Sequence, residues 1–354
     1  MAADADWKWQ LANRITTAGQ LGEYIDLTDE EILGIEAASE RFHWAVTPYY
    51  AGLMDRHSRT CPIRLQAVPS ALELRDDHGI ADPLTENENS PVALIIHVYP
   101  DRVAFMIGNR CPVYCRHCLR KETMVGKPDV NFSEEKIREG LDYIRAHPRI
   151  RDVLLTGGDP LLFPDERLDE ILSSVRAIPT VEVVRIGTRA PVTLPQRITP
   201  ELCGILARHH PLYINTQFNH PAEITPEAGR ACAMLADTGI PLGNQSVLLR
   251  GINDDVQVMR GLCTGLMRIR VRPYYYYQCQ NLTGTSHFRT AIERGVEIQE
   301  SLQGHISGLA VPKYVLDTPY GKVPLAASYV IGREDDEVVV RTWNGRTWRE
   351  HNPL

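Results

Sequence analysis

Three cysteines lie close together in the sequence Cys111-Pro-Val-Tyr-Cys115-Arg-His-Cys118. Thiolates are the usual protein ligands of iron–sulfur clusters, so this C-x3-C-x2-C loop can hold three irons of a [4Fe–4S] cluster. The remaining iron would lack a protein ligand and could bind a small molecule, as open catalytic metal sites do. A zinc site completed by His117 is the alternative, although zinc sites more often pair C-x2-C with a second, distant pair.

Two other short motifs carry residue types that bind or react with small molecules. In the sequence Thr-Gly157-Gly158-Asp159-Pro, the glycines allow backbone to approach a ligand closely and the carboxylate can accept from an ammonium group. A tight turn with a capping aspartate is the alternative interpretation. Lys322 follows Gly321 and precedes an apolar run, a setting in which a partly desolvated lysine becomes a nucleophilic amine. Taken alone, it is typical of a surface lysine.

The elements that must position these residues begin near residue 93, where short β-branched runs alternate with amphipathic helical patterns. Strands are predicted at 93–97, 103–107, 152–155, 182–186, 212–216, 243–249 and 270–276. Helices are predicted at 133–146, 166–177, 200–209, 226–239, 254–266 and 291–302. About six β-then-α units imply a parallel sheet and favour a full or partial β/α barrel over a flat, doubly wound sheet. The cysteine loop follows the second strand, which in a barrel is the C-terminal rim, where active sites lie.

Two other regions flank this predicted barrel, which we assign to residues 93–310. Residues 1–92 are predicted to form a helical extension that wraps the core, with Pro, Asp and Asn frequent over 62–89. Residues 311–354 are predicted to form a short β-rich segment, with strands at 314–316, 327–331 and 338–342 and a turn at Asn344-Gly345.

The composition is that of an ordinary globular protein, with 354 residues, 43% hydrophobic, 23% charged and a net charge of −7. It excludes a disordered or collagen-like chain, and the acidic balance argues against a nucleic-acid binder. No stretch approaches the ~20 apolar residues that span a bilayer, and the N-terminus lacks the features of a secretory signal. We therefore expect a cytoplasmic protein without membrane attachment, whose eight cysteines are reduced thiols, metal ligands or buried residues.

The chain resembles the radical S-adenosylmethionine (radical SAM) superfamily, whose signature is this cysteine loop, and more closely its lysine 2,3-aminomutase family. The resemblance runs from about residue 95 to residue 342. The motifs that carry it are Tyr-Cys115-Arg-His-Cys118-Leu-Arg120, Leu155-Thr-Gly-Gly-Asp159-Pro, Asn215-Thr-Gln-Phe-Asn-His220-Pro, Leu242-Gly-Asn-Gln245-Ser-Val-Leu-Leu-Arg-Gly-Ile-Asn, Arg272-Pro-Tyr-Tyr-Tyr-Tyr277 and His287-Phe-Arg289-Thr. It implies a partial (β/α)6 TIM-like barrel in the α/β class.

The resemblance also implies three cofactors: a [4Fe–4S] cluster, S-adenosylmethionine (SAM) and pyridoxal 5′-phosphate (PLP). The family's functional positions correspond to Cys111, Cys115 and Cys118 for the cluster; Gly157, Gly158, Asp159, Gln217 and Gln245 for SAM; Lys322 for the PLP Schiff base and Arg102 for its phosphate; and Arg120, Gln280 and Asp317 for the substrate. For Gln245 the alternative is a satisfied core amide. For Arg102 it is a surface arginine beside Asp101. Where the lysine enzymes have a histidine, this chain has Gln217.

By the same resemblance, a SAM-derived radical removes hydrogen from substrate C3 and the amino group, held by PLP, moves from C2 to C3. Lysine enzymes hold the distant ammonium with two aspartates, matched here by Asp317 and Gln280. One carboxylate and one amide fit lysine or a guanidinium, so arginine is an alternative substrate. Glutamate enzymes place a lysine where this chain has Gln280, so a glutamate substrate is a weaker alternative. A radical SAM/PLP enzyme with a non-migratory outcome also stays open.

The expected partners follow from this chemistry. The substrate is a free amino acid, and the cluster needs a one-electron reductant such as flavodoxin or ferredoxin. Nucleic acid and membrane are not expected. A homo-oligomer is an open alternative. The family's C-terminal cysteine group for structural zinc has no counterpart after Cys279, so we expect no zinc, and the resemblance does not fix the oligomeric arrangement.

Overall fold

The computed structural model describes residues 6–76, 78–123, 125, 130–334 and 337–352. Within these residues, nine strands form one sheet whose spatial order follows the sequence. The strands are β1 (Ile95–Tyr99), β2 (Arg102–Gly108), β3 (Asp152–Gly157), β4 (Val183–Gly187), β5 (Leu212–Thr216), β6 (Leu242–Leu248), β7 (Arg272–Gln278), β8 (Lys313–Thr318) and β9 (Gly321–Pro324). Pairing is parallel from β2 to β8 and antiparallel at both edges.

Helices lie along the whole chain. They are α1 (Trp7–Ala12), α2 (Ala18–Leu21), α3 (Asp29–Arg41), α4 (Pro48–Ala51), α5 (Pro62–Ala67), α6 (Glu134–Ala146), α7 (Asp165–Arg176), α8 (Ala190–Thr193), α9 (Pro200–Ala207), α10 (Pro226–Asp237), α11 (Val256–Arg268) and α12 (Ile292–Leu302). Each of β2 to β7 leads into at least one helix before the next strand, which makes six β/α units and confirms the predicted partial barrel. The side chains of Ser133, Thr199 and Thr225 cap the first turns of α6, α9 and α10 by accepting main-chain N–H groups.

Alternation along the strands separates the packed face of the sheet from the face that lines a cavity. In β3, Val153 and Leu155 are fully buried in the hydrophobic core. The alternate residues, Leu154 and Thr156, line the cavity. This follows from the period of two along a strand. A parallel β/α sheet therefore has one face that packs and one face that can carry chemistry.

The two edges of the sheet approach each other without pairing in the described residues. The hydroxyl of Tyr99, on β1, accepts a hydrogen bond from the main-chain N–H of Lys322, on β9, at 2.7 Å. A Cβ at Gly321 would lie 2.9 Å from the same hydroxyl, and the φ of Gly321 is +119°. Glycine is therefore needed where the barrel nearly closes.

The C-terminal segment contributes to two sheets. The strands β8 and β9 extend the barrel sheet, so the expected boundary at residue 310 precedes two strands that complete it. A separate antiparallel sheet contains β10 (Val330–Glu334), β11 (Glu337–Arg341) and β12 (Thr347–His351). Gly345, with φ +80°, lies in the turn between the last two strands, as predicted. In the described part of the chain, no helix has the length and apolar character needed to cross a membrane.

Candidate active site

A cavity of ≈ 730 Å³ follows the parallel strands, from Arg102 and Asp152 at the starts of β2 and β3 to the loops after their carboxyl ends. All of the residues predicted for cofactors and substrate line it: Arg102, Cys111, Cys115, Cys118, Arg120, Gly157, Gly158, Asp159, Gln217, Gln245, Gln280, Asp317 and Lys322. The structure therefore brings together motifs that are separated by more than 200 positions in the sequence. The cysteine loop and the glycine pair lie after the carboxyl ends of β2 and β3, which is where ligands bind in parallel β/α folds.

The cysteine loop follows β2 and is fastened to the N-terminal extension by main-chain hydrogen bonds. The N–H of Tyr114 donates to the carbonyl of Ala45 at 3.0 Å, and the N–H of Arg116 donates to Gln66 at 2.8 Å. Arg14 reaches the carbonyl of Cys111 at 2.8 Å. The extension thus fixes the loop from three sides, which the sequence alone did not predict.

A buried ion-pair cluster reinforces the same loop. Arg116 forms a bidentate pair with Glu73, with distances of 2.9 and 2.6 Å, and Lys121 donates to Glu73 at 3.0 Å. Burial opposes ionisation of Glu73, but the charges of Arg116 and Lys121 hold the pKa of its carboxyl below the ordinary value. Burial lowers the pKa of Lys121. The sequence pattern Ser70-x-x-Glu73 predicts the start of a helix, and a short helix begins there. The pattern does not indicate that Glu73 also pairs with Arg116 and Lys121.

The three thiols are chemically suited to a cationic cluster. Burial raises the pKa of Cys111 well above its ordinary value and that of Cys118 to about 11, so free thiolates are disfavoured there without a metal. Within the described residues, no group of three His, Cys, Asp or Glu side chains is arranged to hold one metal ion. Three cysteines on one short loop match the protein ligand set of a [4Fe–4S] cluster in which one iron has no protein ligand.

His117, the fourth ligand in the zinc alternative, is engaged elsewhere. Its side chain is buried, and Nε2 lies 3.2 Å from the amide nitrogens of both Gln217 and Asn219. Burial lowers the pKa of this histidine well below its ordinary value, so the ring is neutral. Its Nε2 therefore acts as an acceptor for these amides, and the zinc alternative gains no support.

The glycine pair approaches backbone rather than open space. A Cβ at Gly157, where φ is +114°, would lie 2.3 Å from the carbonyl oxygen of Gly108, and one at Gly158 would lie 2.4 Å from that of Arg110. Both contacts are with the segment that leads into the cysteine loop. The glycines thus hold the end of β3 against that loop, and they line the cavity at the same point.

Asp159 has internal partners for both of its carboxylate oxygens. Oδ1 accepts from the Thr188 hydroxyl at 2.6 Å and from the Leu161 N–H at 3.1 Å, and Oδ2 accepts from the Arg189 N–H at 2.9 Å. The capping alternative is therefore realised, and burial raises the pKa of this carboxyl. The role of Asp159 towards SAM stays a prediction, as do those of Gln217, beside His117, and Gln245, on β6.

Lys322 and its partners line another part of the same cavity. Its Nζ lies 3.1 and 3.3 Å from the carboxylate oxygens of Asp317 and 5.6 Å from the ring centre of Tyr277. The residues belong to neighbouring antiparallel strands, with Asp317 on β8 opposite Lys322 on β9. Pairing of these two strands therefore places the predicted nucleophile, Lys322, beside Asp317, the carboxylate predicted to bind the substrate.

The remaining predicted residues also have protein partners. Arg102 stacks 3.7 Å above the ring centre of Tyr99 and pairs with Asp101 at 2.8 Å. Arg120 forms a bidentate pair with Glu86, with distances of 2.9 and 2.7 Å. No sequence motif marks Glu86 as a partner of Arg120. A side-on pair through Nε and Nη2 leaves the Nη1 side of the Arg120 fork for another carboxylate.

Gln280 is oriented by one hydrogen bond. Its Nε2 donates to the main-chain carbonyl of Asp317 at 3.1 Å, so the amide oxygen is left as the acceptor that this side chain offers to the cavity. The distal part of the site therefore combines one carboxylate, from Asp317, with one neutral acceptor.

Comparison with known proteins gives consistent matches along the chain. Residues 105–260 match the family described as the radical SAM superfamily, and residues 299–353 match the family described as lysine-2,3-aminomutase. The L-lysine 2,3-aminomutase of Fusobacterium nucleatum is 50% identical over 343 residues, which cover 96% of this chain and 80% of that protein. That of Clostridium subterminale is 51% identical, covering 96% and 82%. The glutamate 2,3-aminomutase of Clostridioides difficile is 46% identical, covering 97% and 82%.

Proposed function

The chain belongs to the lysine 2,3-aminomutase family of the radical SAM superfamily, and on that premise we propose that it moves the α-amino group of a free cationic L-amino acid from C2 to C3. Such an enzyme is an isomerase and its product is a β-amino acid. The observation that carries the proposal is that the cysteine loop, the glycine pair and Lys322 line one cavity. A binding protein without catalysis would need no such combination of thiols and a potential nucleophile.

The chain's own residues divide the cavity between the three cofactors of the family. Cys111, Cys115 and Cys118 would hold the [4Fe–4S] cluster, and SAM would lie near Gly157, Gly158, Asp159, Gln217 and Gln245. When bound, the reduced cluster and SAM supply a 5′-deoxyadenosyl radical, while PLP carries the migrating amino group. The barrel wall would exclude water from the radical, and the internal hydrogen bonds of Asp159 and His117 would keep the surrounding side chains in place.

Lys322 would hold PLP and Arg102 would bind its phosphate. Tyr99 supports both assignments, because its hydroxyl accepts from the Lys322 N–H and its ring lies under the Arg102 guanidinium. In this arrangement Lys322 would exchange Asp317 for the cofactor, which leaves Asp317 available to the distal cation of the substrate. Arg120, oriented by Glu86, would bind the α-carboxylate.

The substrate is L-lysine or another cationic amino acid. The Asp317 carboxylate supplies the negative charge that a distal ammonium or guanidinium requires. Residue 280 is a glutamine, whereas a lysine at this position would favour a substrate with an acidic side chain. The orientation of the Gln280 amide favours arginine as the second candidate, because a guanidinium has enough N–H groups for both Asp317 and the amide oxygen.

Partners and location complete the proposal. A one-electron reductant such as flavodoxin or ferredoxin would reduce the cluster. All eight cysteines are free in the structure, which supports a reducing, cytoplasmic location. The three-stranded sheet exposes Val330, Ile331 and Trp348, which supports a homo-oligomer.

The proposal is tested with cluster-reconstituted protein under anaerobic conditions, with PLP, SAM and dithionite. Lysine, arginine, ornithine and glutamate are offered separately, and products are identified by mass spectrometry after derivatisation. We expect a β-amino acid from one cationic substrate. Production of 5′-deoxyadenosine without any β-amino acid would retain radical chemistry and reject the aminomutase assignment.

A further inference from the structure

A buried arginine to which the proposed reaction gives no role contacts the cysteine loop. Arg189 follows β4 and is 8% exposed. Its Nη1 donates a hydrogen bond to the Sγ of Cys115 at 2.7 Å. The Cys115 thiol therefore accepts a hydrogen bond from a charged group that lies outside the cysteine loop, after β4.

The other donors of Arg189 are held in place by the protein. Nε donates to the carbonyl of Gln217 at 3.0 Å, and Nη2 contacts the side-chain oxygens of Gln66 at 2.7 Å and Glu223 at 2.5 Å. A guanidinium held on three sides cannot rotate away from Cys115 without breaking several buried hydrogen bonds.

The counter-ion of Arg189 is equally fixed. Glu223 is fully buried and accepts from the Tyr50 hydroxyl at 2.7 Å and from the main-chain N–H groups of Asn219, at 2.5 Å, and His220, at 2.9 Å. Because Glu223 is stabilised by these neutral donors, it does not depend on Arg189 alone. The guanidinium thus keeps one N–H directed at sulfur.

A hydrogen bond and positive charge at a ligand sulfur stabilise the additional negative charge that an iron–sulfur cluster carries after reduction. We propose that Arg189 raises the reduction potential of the cluster through its hydrogen bond to Cys115, which makes the cluster accessible to a one-electron reductant. The step is the addition of one electron from that reductant, with no bond made or broken. The inference rests on the proposed role of Cys115 as an iron ligand.

The test is an EPR-monitored redox titration of the reconstituted protein, with dithionite as reductant and without substrate. We expect Arg189→Gln to lower the midpoint potential by about 59 mV, which is a tenfold loss in the equilibrium constant for a one-electron couple. Arg189→Lys, which keeps the charge but not the fork, should give a smaller shift. Arg116→Lys is the matched control, since Arg116 is buried next to Cys115 and contacts Glu73 rather than sulfur.

Equal shifts in Arg189→Gln and Arg116→Lys would overturn the inference, because both would then reflect general disturbance of the loop. A second measurement uses protein labelled with 15N-arginine. Electron–nuclear double resonance of the reduced cluster should detect an arginine nitrogen coupling that Arg189→Gln loses, which distinguishes Arg189 from Arg116 and Arg120 near the same thiols. A wild-type spectrum without such a coupling, or one that Arg189→Gln leaves unchanged, would also overturn the inference. If the wild type takes up no [4Fe–4S] cluster, as judged by iron content and EPR, the proposed function fails together with this inference.

Discussion

Two regions of the site differ in how firmly their charged groups are held: the cysteine end, around the loop 111–118, and the lysine end, around Lys322. At the cysteine end, Glu73 and Arg116 are at most 1% exposed, and the ion pairs join the barrel to the N-terminal extension. At the lysine end, the side chains of Lys322 and Asp317 are 34% and 20% exposed, and they lie on an edge hairpin of the sheet. One end is therefore fixed by buried pairs, whereas the other has a partly solvated pair.

This difference matches what each end is proposed to do. Iron ligands work from constant positions, and buried, fully paired networks provide rigid support. A lysine that exchanges a carboxylate for a cofactor must leave its partner at little cost, and partly exposed ion pairs contribute little free energy. The same chain thus combines a rigid support for one cofactor with an adaptable support for another.

The largest effect should come from Lys322→Ala, which separates the functions of the two ends. We expect loss of the visible absorbance of protein-bound PLP and turnover below detection, while iron content stays at the wild-type level. Cys118→Ala should give the opposite spectroscopic result, with PLP absorbance retained and iron lost. Lys313→Ala, at an exposed position on the neighbouring strand, is the control. Retention of PLP-dependent turnover by Lys322→Ala would reject its assignment.

The next effect concerns stability at the cysteine end. Glu73→Gln leaves Arg116 and Lys121 buried without their counter-ion, so we expect the free energy of unfolding to fall by about 3–5 kcal/mol. Glu182→Gln removes an exposed pair with Arg151 and should produce a barely measurable change. Denaturant titrations of both variants make the comparison, and similar midpoints would show that the buried cluster does not stabilise this end.

The pH dependence of stability should also originate at the cysteine end. Burial lowers the pKa of His287 to about 4, with the charges of Glu73, Lys121 and Arg116 nearby. As pH falls from about 6.5 to 4, the unfolded chain protonates this histidine and the folded chain does not, so His287 should contribute a fall in stability of about 3 kcal/mol across this window. His287→Gln should reduce the slope by that contribution and leave the part that comes from His117, whose pKa burial also lowers, whereas substitution of exposed His305 by Gln should leave the slope unchanged. An unaltered slope in His287→Gln would contradict the assignment.

The sequence predicted local elements better than the contacts that distinguish the two ends. All seven strands predicted for the barrel region are present, because β-branched runs and helical periodicity are local signals. The strand β9 was missed, since four residues bounded by a tight turn and ending in Pro324 give almost no pattern. The strand β12 was missed because its Thr-Trp-Arg-Glu-His sequence is fully exposed and mostly polar.

Motifs predicted residues that line one cavity, but they did not predict the protein partners of those residues. Glu73 and Arg116 are 43 positions apart, and Arg189 and Cys115 are 74 apart. Pairs at such separations depend on how elements pack in three dimensions, which local patterning does not report. The same holds for Glu86, whose pairing with Arg120 only the folded chain reveals.

The smallest effect we predict is at the adaptable end, in the choice of substrate. Gln280→Asp adds a second carboxylate beside Asp317, so a compact ammonium can be held between two negative charges. We expect the preference for lysine over arginine, measured as the ratio of kcat/KM values, to rise by about tenfold, or ~1.4 kcal/mol. Gln280→Glu is a useful companion, because it carries the same charge on a side chain of the original length. If neither variant changes the ratio, Gln280 does not contact the distal group, and the substrate cation must be recognised by Asp317 without it.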